Sequence, residues 1–118
     1  MMKFAQDGSP LTAPTNELAL LHERAEEVTE RLATIANAKR LLVLCRLAEG
    51  EASVGELQAV TGLSQSALSQ HLARLRAAGV VATRRQAQTI HYRLADPDMR
   101  ALMAALYEIF CKQRRSGE

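Results

Sequence analysis

The chain has 118 residues, and among them only two cysteines and three histidines. No apolar run approaches the roughly 20 residues of a membrane span, and the opening MMKFAQDGSPLTAP has no apolar signal-peptide core. A cytoplasmic protein is therefore expected, with its two thiols reduced rather than joined in a structural disulfide, although redox chemistry stays open to them. There is no CxxC, and no histidine or acid is placed by sequence to activate either cysteine, so an enzyme is not expected. Acidic charge is scarce in one region only. Overall, 15 basic residues face 13 acidic ones, for a net charge of +2. Residues 57–95, however, contain no acid, and five arginines (74, 76, 84, 85 and 93) fall between Arg74 and Arg93. Such a stretch does not repel phosphates.

What stands there is a patterned unit. Residues 53–94, SVGELQAVTGLSQSALSQHLARLRAAGVVATRRQAQTIHYRL, read as helix, turn, helix and then a basic hairpin. Ser64 is suited to N-cap the second of these helices, with Leu63 stapling onto Leu68. At 100° per residue, Leu68, Leu72 and Leu75 share a stripe about 60° wide. Ser66, Gln70 and Ala73 lie opposite, with Ser69 on the flank. Gln can pair with adenine, Ser with either base type, and Ala can touch a thymine methyl, so this face suits a major groove. Gly79 fits the left-handed C′ position. Beyond it, VVATRR and TIHYRL alternate as strands, with Ile90, Tyr92 and Leu94 on one face and His91 and Arg93 on the other. The tip, Gln86-Ala87-Gln88, lacks Asn-Gly or Asp-Gly, so a loop longer than two residues is expected. The arginines at 84, 85 and 93 suit phosphates or a minor groove.

Residues 1–15 hold Gly8, Pro10 and Pro14 without periodicity and are expected as a flexible arm, followed by one domain over 16–118. Leu18, Leu21, Ala25, Val28 and Leu32 predict a first helix from Asn16 to about Ala33. After a break at 34–37, KRLLVLCRLAEG predicts a second, with Leu41, Leu44, Cys45 and Ala48 on one face and Gly50 at its end. Ser53 and Glu56 make a capping box for a short third helix over 54–60. Asp96 as N-cap and Pro97 at N1 open a fifth helix that runs to about Arg114, with an apolar stripe of Met99, Leu102, Met103, Leu106, Ile109 and Phe110. The expected fold class is mainly α with a small β-hairpin wing, a winged helix-turn-helix of about five helices and two strands. The first and fifth helices would leave apolar faces exposed, so a homodimer is expected. A twofold dimer sets two reading helices about 34 Å apart, matching a palindromic site on double-stranded DNA.

Over about residues 16–114 the chain resembles the ArsR/SmtB family of dimeric winged-helix repressors. The resemblance rests on KRLLVLC, on GELQAVTGLSQSALSQHLARLRAAGVV and on the wing RRQAQTIHYRL. It implies that Gln65, Ser66, Ser69 and Gln70 read bases and that Arg84 and Arg85 are wing contacts. Many members sense metals, but the third-helix segment SVGEL has no thiolate, and residues 96–114 have no histidine. The three histidines, His22, His71 and His91, have no ligand spacing, and His71 is read as a packing or hydrogen-bonding residue. No metal and no cofactor are expected.

Taken alone, Cys45 reads as a small apolar residue on a leucine face, whereas Cys111, about 40° from Tyr107, sits at the flank of the fifth helix's stripe. LLVLC and EIFC, with Ala87-Gln88 in the wing, resemble the persulfide-responsive BigR, SqrR and YgaV-like subgroup. That resemblance implies a repressor that senses reactive sulfur species, its Cys45 and Cys111 becoming linked by sulfur. A general oxidant sensor working through a direct disulfide, as in similar HlyU-like regulators, remains open, as do a metal-responsive repressor and a protein-binding adaptor.

Overall fold

Most helices of this protein begin or end where side chains or left-handed glycines satisfy the backbone groups that a helix leaves open. The computed structural model describes residues 14–112. Of the expected arm, residues 1–13 lie outside that range, and Pro14 and Thr15 already open a helix. The chain divides into two compact units, one ending at Ala33 and the other beginning at Thr34.

The single first helix expected over 16–33 is two: α1 (Pro14–Glu23) and α2 (Ala25–Ile35). At the junction the Arg24 N–H is shared between the carbonyls of Leu20 and Leu21, both at 3.1 Å, a tightened turn that interrupts α-helical geometry. Leu18, Leu20, Leu21 and Leu32 are all exposed. Because α2 continues through Ile35, the break before the next helix shrinks to Ala36 and Asn37.

The second unit starts its own helices with side-chain caps. Asn37 accepts from the N–H groups of Lys39 and Arg40 at the start of α3 (Ala38–Glu49), which Gly50 ends. Ser53 and Glu56 form the full capping box of α4 (Val54–Thr61), and Ser64 accepts from Ala67 N–H at the start of α5 (Gln65–Ala77). Gly79, at φ +76°, closes α5 in a Schellman motif: its N–H bonds to Arg76 O at 3.0 Å, and Val80 N–H bonds to Leu75 O at 3.0 Å. Val80 and Leu75 are both buried, which supplies the apolar contact of that motif. Asp96 caps α6 (Pro97–Tyr107), and Pro97 stands at its start.

Around these ends sits a core of Val43, Leu44, Leu47, Leu57, Leu68, Leu72, Leu75, Val80, Val81, Leu94, Met99 and Met103. Full burial of one such side chain contributes about 1.5–3 kcal/mol, so the leucine stripe of α5 alone anchors that helix firmly. On α3 the buried face is Arg40, Val43, Leu44 and Leu47, rotated from the expected Leu41, Leu44, Cys45 and Ala48. Cys45 is exposed, which removes its reading as a core residue. The stripe on α6 divides: Met99 and Met103 are buried, Leu102 and Leu106 pack partly, and Ile109 and Phe110 are exposed at 53% and 56%. From Glu108 to Lys112 the helix widens into a π-helical turn, so the 100° steps that placed Cys111 on the flank do not hold there. The stretch from residue 113 to the expected end at Arg114 lies outside the described residues. No helix among the described residues is long and apolar enough to cross a membrane.

Strands β2 (Val81–Gln86) and β3 (Thr89–Leu94) form the hairpin, and β1 (Ala52–Ser53) joins it in the order β1-β3-β2. Two residues are too few to show an alternating pattern, which hid β1 in the sequence. Gln86 pairs with Thr89, so the tip is a two-residue turn, Ala87-Gln88, and not the longer loop expected. The turn closes because Ala87 takes φ +56°, a left-handed conformation that glycine usually supplies. Holding an alanine there costs about 1–2 kcal/mol. Ala87→Gly is therefore expected to stabilise the protein by about 1 kcal/mol in urea unfolding; a loss of stability would show that the turn is unstrained.

Candidate DNA-reading face and thiol pair

Helix α5 is fixed from behind by α3. Lys39 donates from Nζ to Thr61 O at 2.7 Å, holding the end of α4, while the Thr61 hydroxyl donates to Leu57 O and accepts from Leu63 N–H. These bonds set the turn from α4 into α5. Arg40, 7% exposed, donates from Nε to Thr34 O and from Nη1 toward His71 Nδ1 at 3.3 Å. Its burial, and then the charge of Arg74, hold the Arg40 guanidinium below its ordinary pKa. His71 is thus a hydrogen-bonding residue, as its place in HLARL suggested. Sequence reading passed over Arg40 and Lys39, although Arg40, Leu44 and Leu47 have the 4- and 3-residue spacing of one helix face.

With Leu68, Leu72 and Leu75 turned inward, Gln65, Ser66, Ser69, Gln70 and Ala73 are all exposed on α5. The four polar residues singled out above thus lie on one helix, and their hydroxyls and amides face away from the core.

The two wing arginines are not equivalent. Alternation along β2 puts Arg85, paired with Ile90, on the face that turns Val81 and Leu94 into the core, while Arg84, paired with His91, lies on the other face with Arg93. Among the described residues nothing pairs with the Arg85 guanidinium. Arg84, by contrast, is occupied. Its Nη2 donates to Glu51 Oε1 at 2.7 Å, its Nε lies 3.2 Å from both Glu51 oxygens, and its Nη1 donates to Gln86 Oε1 at 3.2 Å. That hydrogen bond is the main reason the Glu51 carboxyl is held below, and the Arg84 guanidinium above, its ordinary pKa. The segment 57–95 has no acid, yet the fold brings one in from outside it.

Cys45 stands on α3 and Cys111 in the π-helical turn after α6. Cys45 Sγ lies 3.9 Å from Met103 Sδ. Partial burial pushes the Cys45 thiol up, as do the nearby charges of Cys111 and then Glu49. Cys111 is exposed. Among the described residues no group of three or more His, Cys, Asp and Glu is arranged to hold a metal ion.

This architecture, a helix-turn-helix followed by a hairpin wing, is shared with known regulators. Residues 37–83 match the model of the bacterial regulatory protein arsR family. The biofilm growth-associated repressor of Agrobacterium fabrum is 48% identical over 102 residues, which span 86% of this chain and 87% of the relative. The chain belongs to the ArsR family. Among solved structures, reduced HlyU from Vibrio cholerae superposes with a TM-score of 0.74 at 42% identity, covering 78% of this chain and 97% of that one. The transcriptional repressor BigR from Xylella fastidiosa gives 0.74 at 46%, covering 79% and 95%. The protein is accordingly a winged-helix regulator, and its relatives are regulators rather than enzymes.

Two substitutions separate the contacts expected of this face. Gln70→Ala is expected to weaken specific binding by about 1–3 kcal/mol and to relax preference at one base pair. Arg85→Ala is expected to weaken all sequences alike and to lower the salt slope by about one charge. Fluorescence anisotropy on matched specific and random duplexes reads both; equal losses for Gln70→Ala on the two duplexes would exclude base reading.

Proposed function

We propose that the protein is a transcriptional repressor that binds a palindromic operator as a homodimer and lets go when reactive sulfur species link Cys45 to Cys111 within one subunit. The observation that supports the reading is that both thiols are free and exposed and that the charge of Cys111, in the π-helical turn after α6, bears on Cys45 of α3. In this reading Gln65, Ser66, Ser69 and Gln70 contact base edges, and Arg84 and Arg85 contact the backbone. The relatives that carry the names repressor and reduced HlyU support a regulator whose thiol state matters.

The linking step needs no further oxidant when the effector is a polysulfide. One cysteine thiolate attacks the central sulfur of an organic trisulfide, R–S–S–S–R, and expels RS⁻, leaving Cys–S–S–S–R. The second thiolate attacks the inner sulfur of that chain, the one between the cysteine sulfur and the sulfur that bears R, and expels the second RS⁻. Two thiols and one trisulfide thus give a Cys–S–S–S–Cys bridge and two RSH. A direct disulfide, the product expected of a general oxidant, demands Cα atoms within about 7 Å, while the extra sulfur spans a wider gap. Cys45→Ser and Cys111→Ser are each expected to bind DNA and to stay bound after treatment with the trisulfide, whereas the wild type dissociates. Since the Cys45 thiol is raised, bridging should quicken as pH rises above neutrality. Release of either single variant as readily as the wild type would end the paired-thiol reading.

Dimerisation draws support from the exposed Tyr107, Ile109 and Phe110, which continue the buried stripe of α6, and from the exposed leucines of α1. Leu106 packs partly on its own core, so Phe110 is the better probe. Phe110→Asp is expected to produce monomers in sedimentation and, through lost effective concentration, to bind DNA more weakly. A wild-type monomer at micromolar concentration would exclude the dimer.

A further inference from the structure

Glu51 is the one acidic side chain that the fold sets against the basic face of the wing among the described ion pairs. It stands one residue before Ala52, which pairs with Tyr92, and the register of β1 on β3 places it in step with Arg93 and on the face shared by His91, Arg93 and Arg84. Its backbone is held from α3, where Arg46 donates from Nη1 to Gly50 O at 3.0 Å and from Nη2 to Glu51 O at 3.4 Å. The carboxylate is thus presented to Arg84 by a fixed backbone rather than by a floppy surface loop.

A carboxylate that takes two nitrogens of a guanidinium does so with the same fork geometry a phosphate would use. Both side chains remain in water, at 47% for Arg84 and 34% for Glu51, so the pair is open to exchange. We infer that Glu51 is an internal competitor for DNA phosphate: it occupies Arg84 in the free protein and sets how much the wing adds to DNA affinity. This rests on the reading of Arg84 as a backbone contact. When DNA binds, Arg84 trades one anion for another, and Glu51 is left facing the wing's other basic groups, His91 and Arg93, whose charges already act on it. The exchange makes the wing's contribution smaller than its count of arginines suggests. Arg85, on the opposite face, carries no such restraint.

The test is a double-mutant cycle of Glu51→Gln and Arg84→Ala, with binding to a mixed-sequence duplex followed by anisotropy at several salt concentrations. Glu51→Gln is expected to tighten binding by about two- to fivefold, the size of one exposed ion pair. The slope of log K against log salt should change by much less than the roughly 0.9 of one phosphate, because Arg84 neutralises the same phosphate in both proteins. Arg84→Ala should have a small effect alone and should abolish the whole gain in the Glu51→Gln background. If Glu51→Gln gives no gain, or weakens binding, while Arg84→Ala weakens the wild type, then Arg84 touches DNA and Glu51 does not compete for it; the inference falls and the contact stands. If Arg84→Ala changes nothing in either background, Arg84 is no contact and both fall together. Thermal melting of each variant reports whether the exposed substitutions leave the fold intact.

Discussion

The second unit is organised by the buried face of α3. Val43, Leu44 and Leu47 are fully buried, and the helix that carries them contacts α4, α5, α6 and β3. Burial of three such side chains contributes several kcal/mol, about as much as the net stability of many small domains. Polar residues of the same helix then finish the job that apolar packing leaves undone. Lys39 ties the end of α4 and Arg40 reaches His71 on α5, while Arg46 holds the turn into β1. Hydrophobic contact is non-directional, so it sets how deeply the reading helix sits; these hydrogen bonds set its angle and register.

The helix that orients α5 also carries Cys45. A covalent link from Cys45 to Cys111 therefore acts on the element to which the reading helix is fastened. Arg100, on α6, adds a second connection: its guanidinium donates to Ala48 O near the end of α3 and to Leu94 O at the end of β3, both at 3.2 Å. Moving α6 against α3 must stretch one of these bonds or carry the end of the wing along. An effector can shift binding only by the difference in its interaction with two states. A sulfur bridge meets that requirement if one arrangement of α3 and α6 accommodates it with less strain than the other.

The helix ends and the exposed polar face of α5 were legible in the sequence because their causes are local. Ser53, Ser64 and Asp96 cap within three residues of themselves, Gly79 answers a single backbone angle, and the leucines of α5 repeat with the helix period. The family resemblance pointed to the same elements. What escaped reading either left no signature in the local pattern or was decided at a distance. The split of the first helix rests on one shared N–H, and β1 is visible only through its partner β3. The Ala87 turn lacks a glycine to announce it. Most of all, the absence of acid from residues 57–95 described the chain and not the surface, since Glu51 reaches Arg84 across the sheet.

The thiols illustrate the same limit from the chemical side. Sequence periodicity placed Cys45 among leucines, where burial would make it inert; the rotation of the α3 face exposes it instead. Exposure alone does not make it reactive, because partial burial and the charges of Cys111 and Glu49 raise its thiol and reduce its thiolate at neutral pH. A nucleophile so restrained reacts slowly with weak electrophiles, so in the proposed switch the same partial burial that raises the Cys45 thiol favours capture by strongly electrophilic sulfur over mild oxidants.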